Sequence, residues 1–141
     1  MTLSRADAIS QSIKKVETYS DITTNFIRHP VTNELVAVKN EDSVRQAIKN
    51  LILTGIGEKP FNPYFGSNIN KSLFEQFTPF LKEDIIRYIS LAVNQYEPRA
   101  QLLNIAVNDD PDNNGYSVNI VFSLINKPEP INLNLFIKRV R

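Results

Sequence analysis

From residue 81 onward the apolar positions recur three and four apart. Ile85, Ile89, Ala92, Val93 and Tyr96 share one face, the stripe with which an amphipathic helix covers a core. Pro98 lacks a backbone donor and disfavours the α region at Glu97, so the spacing predicts a helix from about Leu81 to Tyr96 that stops at Glu97-Pro98-Arg99. A second helix is predicted from Ser43, which with Gln46 matches a capping box. Val44, Ala47, Ile48, Leu51 and Ile52 form its buried stripe, and Gly55 and Gly57 end it. Between the two lies a short helical pattern with Ile69, Leu73 and Phe77 on one face and Phe74 beside them, stopped by Thr78-Pro79.

After Arg99 the period drops to two. Leu103, Ile105 and Val107 alternate with Asn104, Ala106 and Asn108 up to the turn cluster at 109–115. Tyr116, Val118, Ile120, Phe122 and Leu124 then alternate with polar or small residues, giving a strand of about ten residues. Residues 126–130 read as a second turn. Ile131, Leu133, Leu135 and Ile137 define a last strand that runs to the chain end. Upstream, 25–28 and 34–38 flank a turn-rich spacer and predict a small hairpin. The expected class is α+β: about three helices on a C-terminal three-stranded antiparallel β-meander, with a small N-terminal hairpin. Residues 1–18, with a faint stripe of Ile9, Ile13 and Val16, are expected to be an arm, and 19–141 a single domain.

Composition narrows the options for chemistry. With 42% hydrophobic and 22% charged residues, the 141-residue chain has globular values, and a net charge of +1 gives no global pull toward nucleic acid or anionic membrane. The absence of cysteine excludes disulfides and thiolate metal sites, and fits a reducing compartment. No stretch suits a signal peptide or the roughly 20 apolar residues of a membrane span, so a soluble, cytoplasm-like protein is expected. The lone histidine, His29, precedes a proline in a turn and offers no metal cluster or nucleophile partner. No Gly-rich phosphate loop exists, and Asp109, Asp110 and Asp112 lack EF-hand spacing. Glu75 and Glu83 can be nominated as a glycosidase pair, but nothing in their setting separates an acid from a nucleophile. No cofactor and no catalytic or metal site is expected.

Contact chemistry is what remains. Glu97 and Arg99 flank Pro98 and project to one side, as an internal salt bridge or as an ion-pair fork for another chain. The loop 58–66, carrying Pro60, Phe61, Pro63, Phe65 and Gly66, is either packed over the core or a rigid platform for a partner. The last strand is either an edge guarded by Lys138, Arg139 and Arg141, or a template for a partner's strand.

The stretch 48–79 with its Pro60-Phe61-x-Pro63-x-Phe65-Gly66 loop, and the following helix that ends in Glu97-Pro98-Arg99, resemble the baseplate wedge, or sheath-initiator, family of T-even-like bacteriophages. This family of lysozyme-like tail proteins has relatives in type VI secretion baseplates, and the resemblance covers about 19–141. It implies a structural protein of the virion tail baseplate, assembled in the host cytoplasm. Glu97, Pro98 and Arg99 would dock on the core bundle of the wedge, and the strand with Ile131, Leu133, Leu135 and Ile137 would nucleate the tail sheath. Implied partners are the wedge core-bundle proteins and the sheath protein, with tail tube or hub proteins beyond them. The sixfold symmetry of such tails implies six copies per baseplate. Two alternatives stand beside it: a tail muramidase, and a cytoplasmic regulator, since a bacterial anti-adaptor shares the fold by family resemblance.

Overall fold

In a computed structural model, residues 19–74 and 79–139 are described. Residues 1–18, expected to be an arm, residues 75–78, which include Glu75 and Phe77, and the last two residues lie outside them. The chain runs β1 (Ser20–Ile22), β2 (Ala37–Lys39), α1 (Glu41–Leu53), α2 (Ile69–Ser72), α3 (Pro79–Tyr96), β3 (Ala100–Asp110), β4 (Gly115–Leu124) and β5 (Lys127–Lys138). β1 and β2 form an antiparallel hairpin, and β3-β4-β5 an antiparallel meander with β4 in the centre. The α+β class and the C-terminal meander are as the periodicity implies.

One face of the meander meets α1 and α3. The alternating set of β4, Tyr116, Val118, Ile120, Phe122 and Leu124, is wholly inside. Ile131, Leu133, Leu135 and Ile137 of β5 join it, against Val44, Ile48, Leu51 and Ile52 of α1 and Leu81, Ile85, Ile89, Ala92 and Val93 of α3. Each such large aliphatic or aromatic side chain contributes about 1.5–3 kcal/mol by leaving water. That shared interior outweighs local preferences wherever the two conflict.

It does so at several places. α1 starts at Glu41, two residues before the expected cap, and no side chain caps it. Ser43 lies in the first turn, fully buried, while Gln46 faces the hairpin, donating to Ile22 O at 2.7 Å and accepting from Thr24 N at 3.1 Å. The capping box is therefore absent, and Gln46 instead clamps β1 to α1. The hairpin pairs 20–22 with 37–39; of the expected segments 25–28 and 34–38, only the Arg28–Leu35 bridge and the bonds around it extend the pairing. α2 is a single turn in which Ile69 and Ser72 are buried, and Phe74 just beyond it is exposed.

β3 carries a bulge between Leu102 and Asn104, so Leu103 falls out of register and is 54% exposed, whereas Leu102, Ile105 and Val107 pack on the core. An extra residue shifts the alternation by one, which no period-two pattern anticipates. The second turn is also shorter than expected. β5 begins at Lys127, and Pro128 and Pro130 lie within it, where an irregularity between Phe122 and Leu124 frees them from the ladder. Lys127 Nζ is 2.6 Å from both Glu129 and Glu41, which raises its pKa and ties this turn to the start of α1.

After α1 the chain folds back so that Gly55 and Ser67 form a parallel bridge, with Ser67 N donating to Thr54 O at 2.9 Å. Gly66 has φ +125°, and a Cβ there would lie 2.5 Å from Thr54 O. Gly57 has φ +94° but open space around it. Gly66→Ala is expected to cost about 3 kcal/mol and Gly57→Ala about 1 kcal/mol, since only the first adds a backbone clash to the strained dihedral. Urea midpoints of the two variants check the ordering.

Candidate functional site

The end of α3 is built by main-chain geometry. Glu97 N donates to Val93 O at 2.8 Å, closing the last turn, and Ala100 N donates back to Glu97 O at 3.1 Å as the chain swings into β3. Pro98 stands exposed at the apex. Arg99 O accepts from Ile125 N at 3.3 Å, fastening the corner to the turn between β4 and β5. Glu97 is thereby drawn inside, only 5% exposed.

Arg99 meets it with both arms of its fork. Nε is 2.5 Å from Oε1, and Nη2 is 2.7 Å from Oε2. The same guanidinium lies 5.3 Å from the Tyr19 ring centroid, a cation–π distance. The Glu97 hydrogen bonds raise the Arg99 pKa above its ordinary value against the cost of burial, with the charges of Glu97, Asp21 and Tyr19 adding to them. Of the two readings of this corner, the salt bridge within the fold is formed. What points outward is Pro98 and the remaining face of Arg99, not an empty fork.

The loop 58–66 divides in a similar way. Pro60, Phe61, Pro63 and Tyr64 are exposed, Phe65 is half-buried and Gly66 buried. Phe65 packs on Tyr96 with the rings tilted by 60° and their centroids 5.1 Å apart, and Lys59 Nζ covers the Phe65 ring at 4.0 Å. Tyr96 Oη donates to Tyr64 O at 2.5 Å. Phe61 is fully exposed at φ +63°, a conformation that costs an aromatic residue about 1–2 kcal/mol. Tyr96, counted only as the last core position of α3, is the joint between this loop and the corner. A tyrosine at the end of an apolar stripe needs a partner for its hydroxyl, and that was the available signal.

β5 turns its named residues inward. Ile131, Leu133, Leu135 and Ile137 are buried in the chain's own core, so their side chains are not on offer. The main chain is. Arg139 N donates to Asn114 O at 2.9 Å, which makes 114–139 a hydrogen-bonded pair and the next pair, Gly115–Lys138, a non-bonded one. Counting along the unbroken register, Asn132, Asn134 and Phe136 also occupy non-bonded pairs. Their N–H and C=O groups therefore point away from β4, toward an edge that no strand among the described residues occupies.

Among the described residues, those considered for catalysis form no cluster. Glu83 is exposed on α3, and its nominated companion Glu75 lies outside the described residues. His29 accepts from Val31 N and Thr32 N within its own turn, each at 3.3 Å. Asp109 pairs with Lys82 at 2.6 Å, and Asp110 accepts from Asn113 in the turn. Among the described residues no group of three or more acidic or histidine side chains could hold a metal, and no helix is long and apolar enough to cross a membrane. The exposed features that remain are the loop 58–64, Pro98 and the outer edge of β5.

Residues 38–129 match the family model described as baseplate wedge protein gp25. The baseplate wedge protein gp25 of Enterobacteria phage T4 is 36% identical over 89 residues, covering 63% of this chain and 67% of that protein. The chain belongs to the baseplate wedge protein gp25 family, and is a component of the virion tail baseplate. Solved structures share the fold at lower identity. A putative tail lysozyme from Geobacter sulfurreducens has a TM-score of 0.68 at 20% identity, covering 72% of this chain and 92% of its own. A chain of the anti-feeding prophage baseplate has 0.61 at 17%, covering 87% of each, and one of the post-contracted pyocin R2 baseplate 0.50 at 12%, covering 79% and 97%.

Because Glu97 is buried, removing its partner leaves an uncompensated charge. Arg99→Ala is expected to destabilise the protein by about 2–4 kcal/mol, and Glu97→Gln by less, since a neutral amide is easier to bury. A double-mutant cycle read by urea unfolding should return a coupling of about 1–3 kcal/mol between the two positions.

Proposed function

We propose that this protein joins the baseplate wedge to the tail sheath. The Glu97-Pro98-Arg99 corner and the adjoining loop of Pro60, Phe61, Pro63 and Tyr64 form the wedge-facing surface, which docks on helical core-bundle proteins. The edge of β5 takes up a strand of the first sheath ring. One copy per wedge gives six in a sixfold baseplate, the symmetry applied to the anti-feeding prophage assembly. Residues 19–141 act as one docking unit behind the arm 1–18, and tail tube or hub proteins are further neighbours.

The observation that carries this reading is the state of β5. Between Ile131 and Ile137 its register with β4 is unbroken, its aliphatic side chains are already buried, and its outward positions Asn132, Asn134 and Phe136 are uncharged, Lys138 being the first charge, at the end of the strand. Edges without a charge, a proline or a bulge are templates for another strand. The prolines and the irregularity of β5 sit instead at 128–130, outside this stretch. The second reading, a cell-wall muramidase, draws on the name of the Geobacter structure alone. Glu83, exposed and without an apolar enclosure, does not favour it, and a cell-wall digestion assay on the purified protein settles it.

The two surfaces call for different variants. Reversing Arg99 would set a second carboxylate against buried Glu97 and confuse docking with folding, so the corner is better probed at exposed Pro98. Pro98→Ala is expected to weaken co-purification with wedge proteins at least about tenfold with unchanged circular dichroism. Asn134→Pro removes an edge-facing N–H that β4 does not use, and is expected to abolish sheath initiation while wedge binding persists. Sheath assembly at wild-type rates on Asn134→Pro baseplates would refute strand addition.

A further inference from the structure

The free edge of β5 does not open on bare solvent along its whole length. At Leu133 and Asn134 it borders a groove of about 350 Å³ whose opposite wall is the exposed side of α1, with Arg45 and Lys49 a helical turn apart. The N-terminal hairpin at Thr23–Asn25 supplies the third side. A strand added to β5 would lie about 4.8 Å from it, which places it along this groove.

The wall is charged with one sign in excess. Among the groove residues Asp42 is the one acid, and its carboxylate is already committed to Arg45 Nη1 at 2.7 Å. The Lys49 side chain forms no ion pair or hydrogen bond among the described residues and is exposed. The other two sides are neutral: Thr23 and Thr24 are tied to Val36 and Gln46, and the Asn134 side chain accepts from Asn119 at 2.7 Å. An incoming strand thus meets main-chain groups on its β5 side and, on its α1 side, an unneutralised ammonium next to the guanidinium that Asp42 holds.

We infer that the strand accepted by β5 is acidic, carrying carboxylates along the edge that faces Arg45 and Lys49. This rests on the strand-addition reading and adds to it the chemistry of the partner. Backbone pairing alone is indifferent to sequence and would admit any extended segment. The lysine and arginine convert that permissive edge into a selective one, attracting acidic strands and repelling basic ones. The uncharged stretch from Asn132 to Phe136 then needs no guard of its own, because the guard stands on the neighbouring helix.

The test measures binding of the purified sheath subunit to the full-length protein at about 50 and about 300 mM salt, with three variants. Lys49→Glu is the main one, because the side chain has no partner within the described fold and its loss should not disturb folding. Lys49→Gln separates loss of attraction from added repulsion, and Asn134→Pro reports on strand addition itself. Expected results are about tenfold weaker binding for Lys49→Glu, a smaller loss for Lys49→Gln, and a shallower salt dependence for both, with no binding by Asn134→Pro. If both Lys49 variants bind like wild type with the same salt dependence while Asn134→Pro does not bind, the charge inference is wrong and strand addition survives. Should Asn134→Pro bind normally, strand addition fails and the inference with it, whatever the lysine variants do.

Discussion

The chain turns on a pair of hydrogen bonds between neighbours in sequence. Arg99 grips buried Glu97 with both arms of its guanidinium across a single proline, at the point where the long helix becomes the first strand of the meander. Everything that must be oriented meets there. α3 ends on Glu97, β3 starts at Ala100, the β4–β5 turn is fastened by the carbonyl of Arg99, and the first described residue, Tyr19, lies against the guanidinium. A buried carboxylate is tolerable only with its partner in place, so the corner has one arrangement and passes it on to the angle between helix and sheet.

That arrangement separates two kinds of surface. Near the corner, Tyr96 couples the stiff aromatic loop to the end of α3, so Phe61, Tyr64 and Pro98 are presented from one braced region. At the far side of the sheet, β5 spends its side chains on the core and leaves its backbone unspent. The first surface would recognise by shape and the second by main-chain pairing. On the proposed reading the two modes are compatible, because neither competes with the other for the same partner.

Much of the fold was legible in the chain. The 3.6 period of α1 and α3, the period of two in β4 and β5, the turn at 109–115 and the helix stop at Glu97 all correspond to elements of the structure, since each follows from burying one face of a regular backbone. The errors share a cause. The capping box at Ser43, the strand limits of the hairpin, the phase of β3 and the start of β5 were judged from neighbours in sequence, and each was overruled by a contact from elsewhere. Gln46 was recruited by the hairpin, Leu103 was displaced by a bulge, and Pro128 and Pro130 were admitted to a strand because the ladder skips them.

By itself, then, the sequence determined the helices α1 and α3, the meander, most of the buried stripes, the lack of cysteine chemistry and the family, matched over residues 38–129. Those are properties of local pattern and composition. Whether Glu97 and Arg99 face each other or a partner was left open, as were which backbone groups of β5 point outward and the presence of Lys49 beside that edge. These depend on burial, register and the approach of α1 to β5, distances between residues far apart in the chain that only the packed structure specifies.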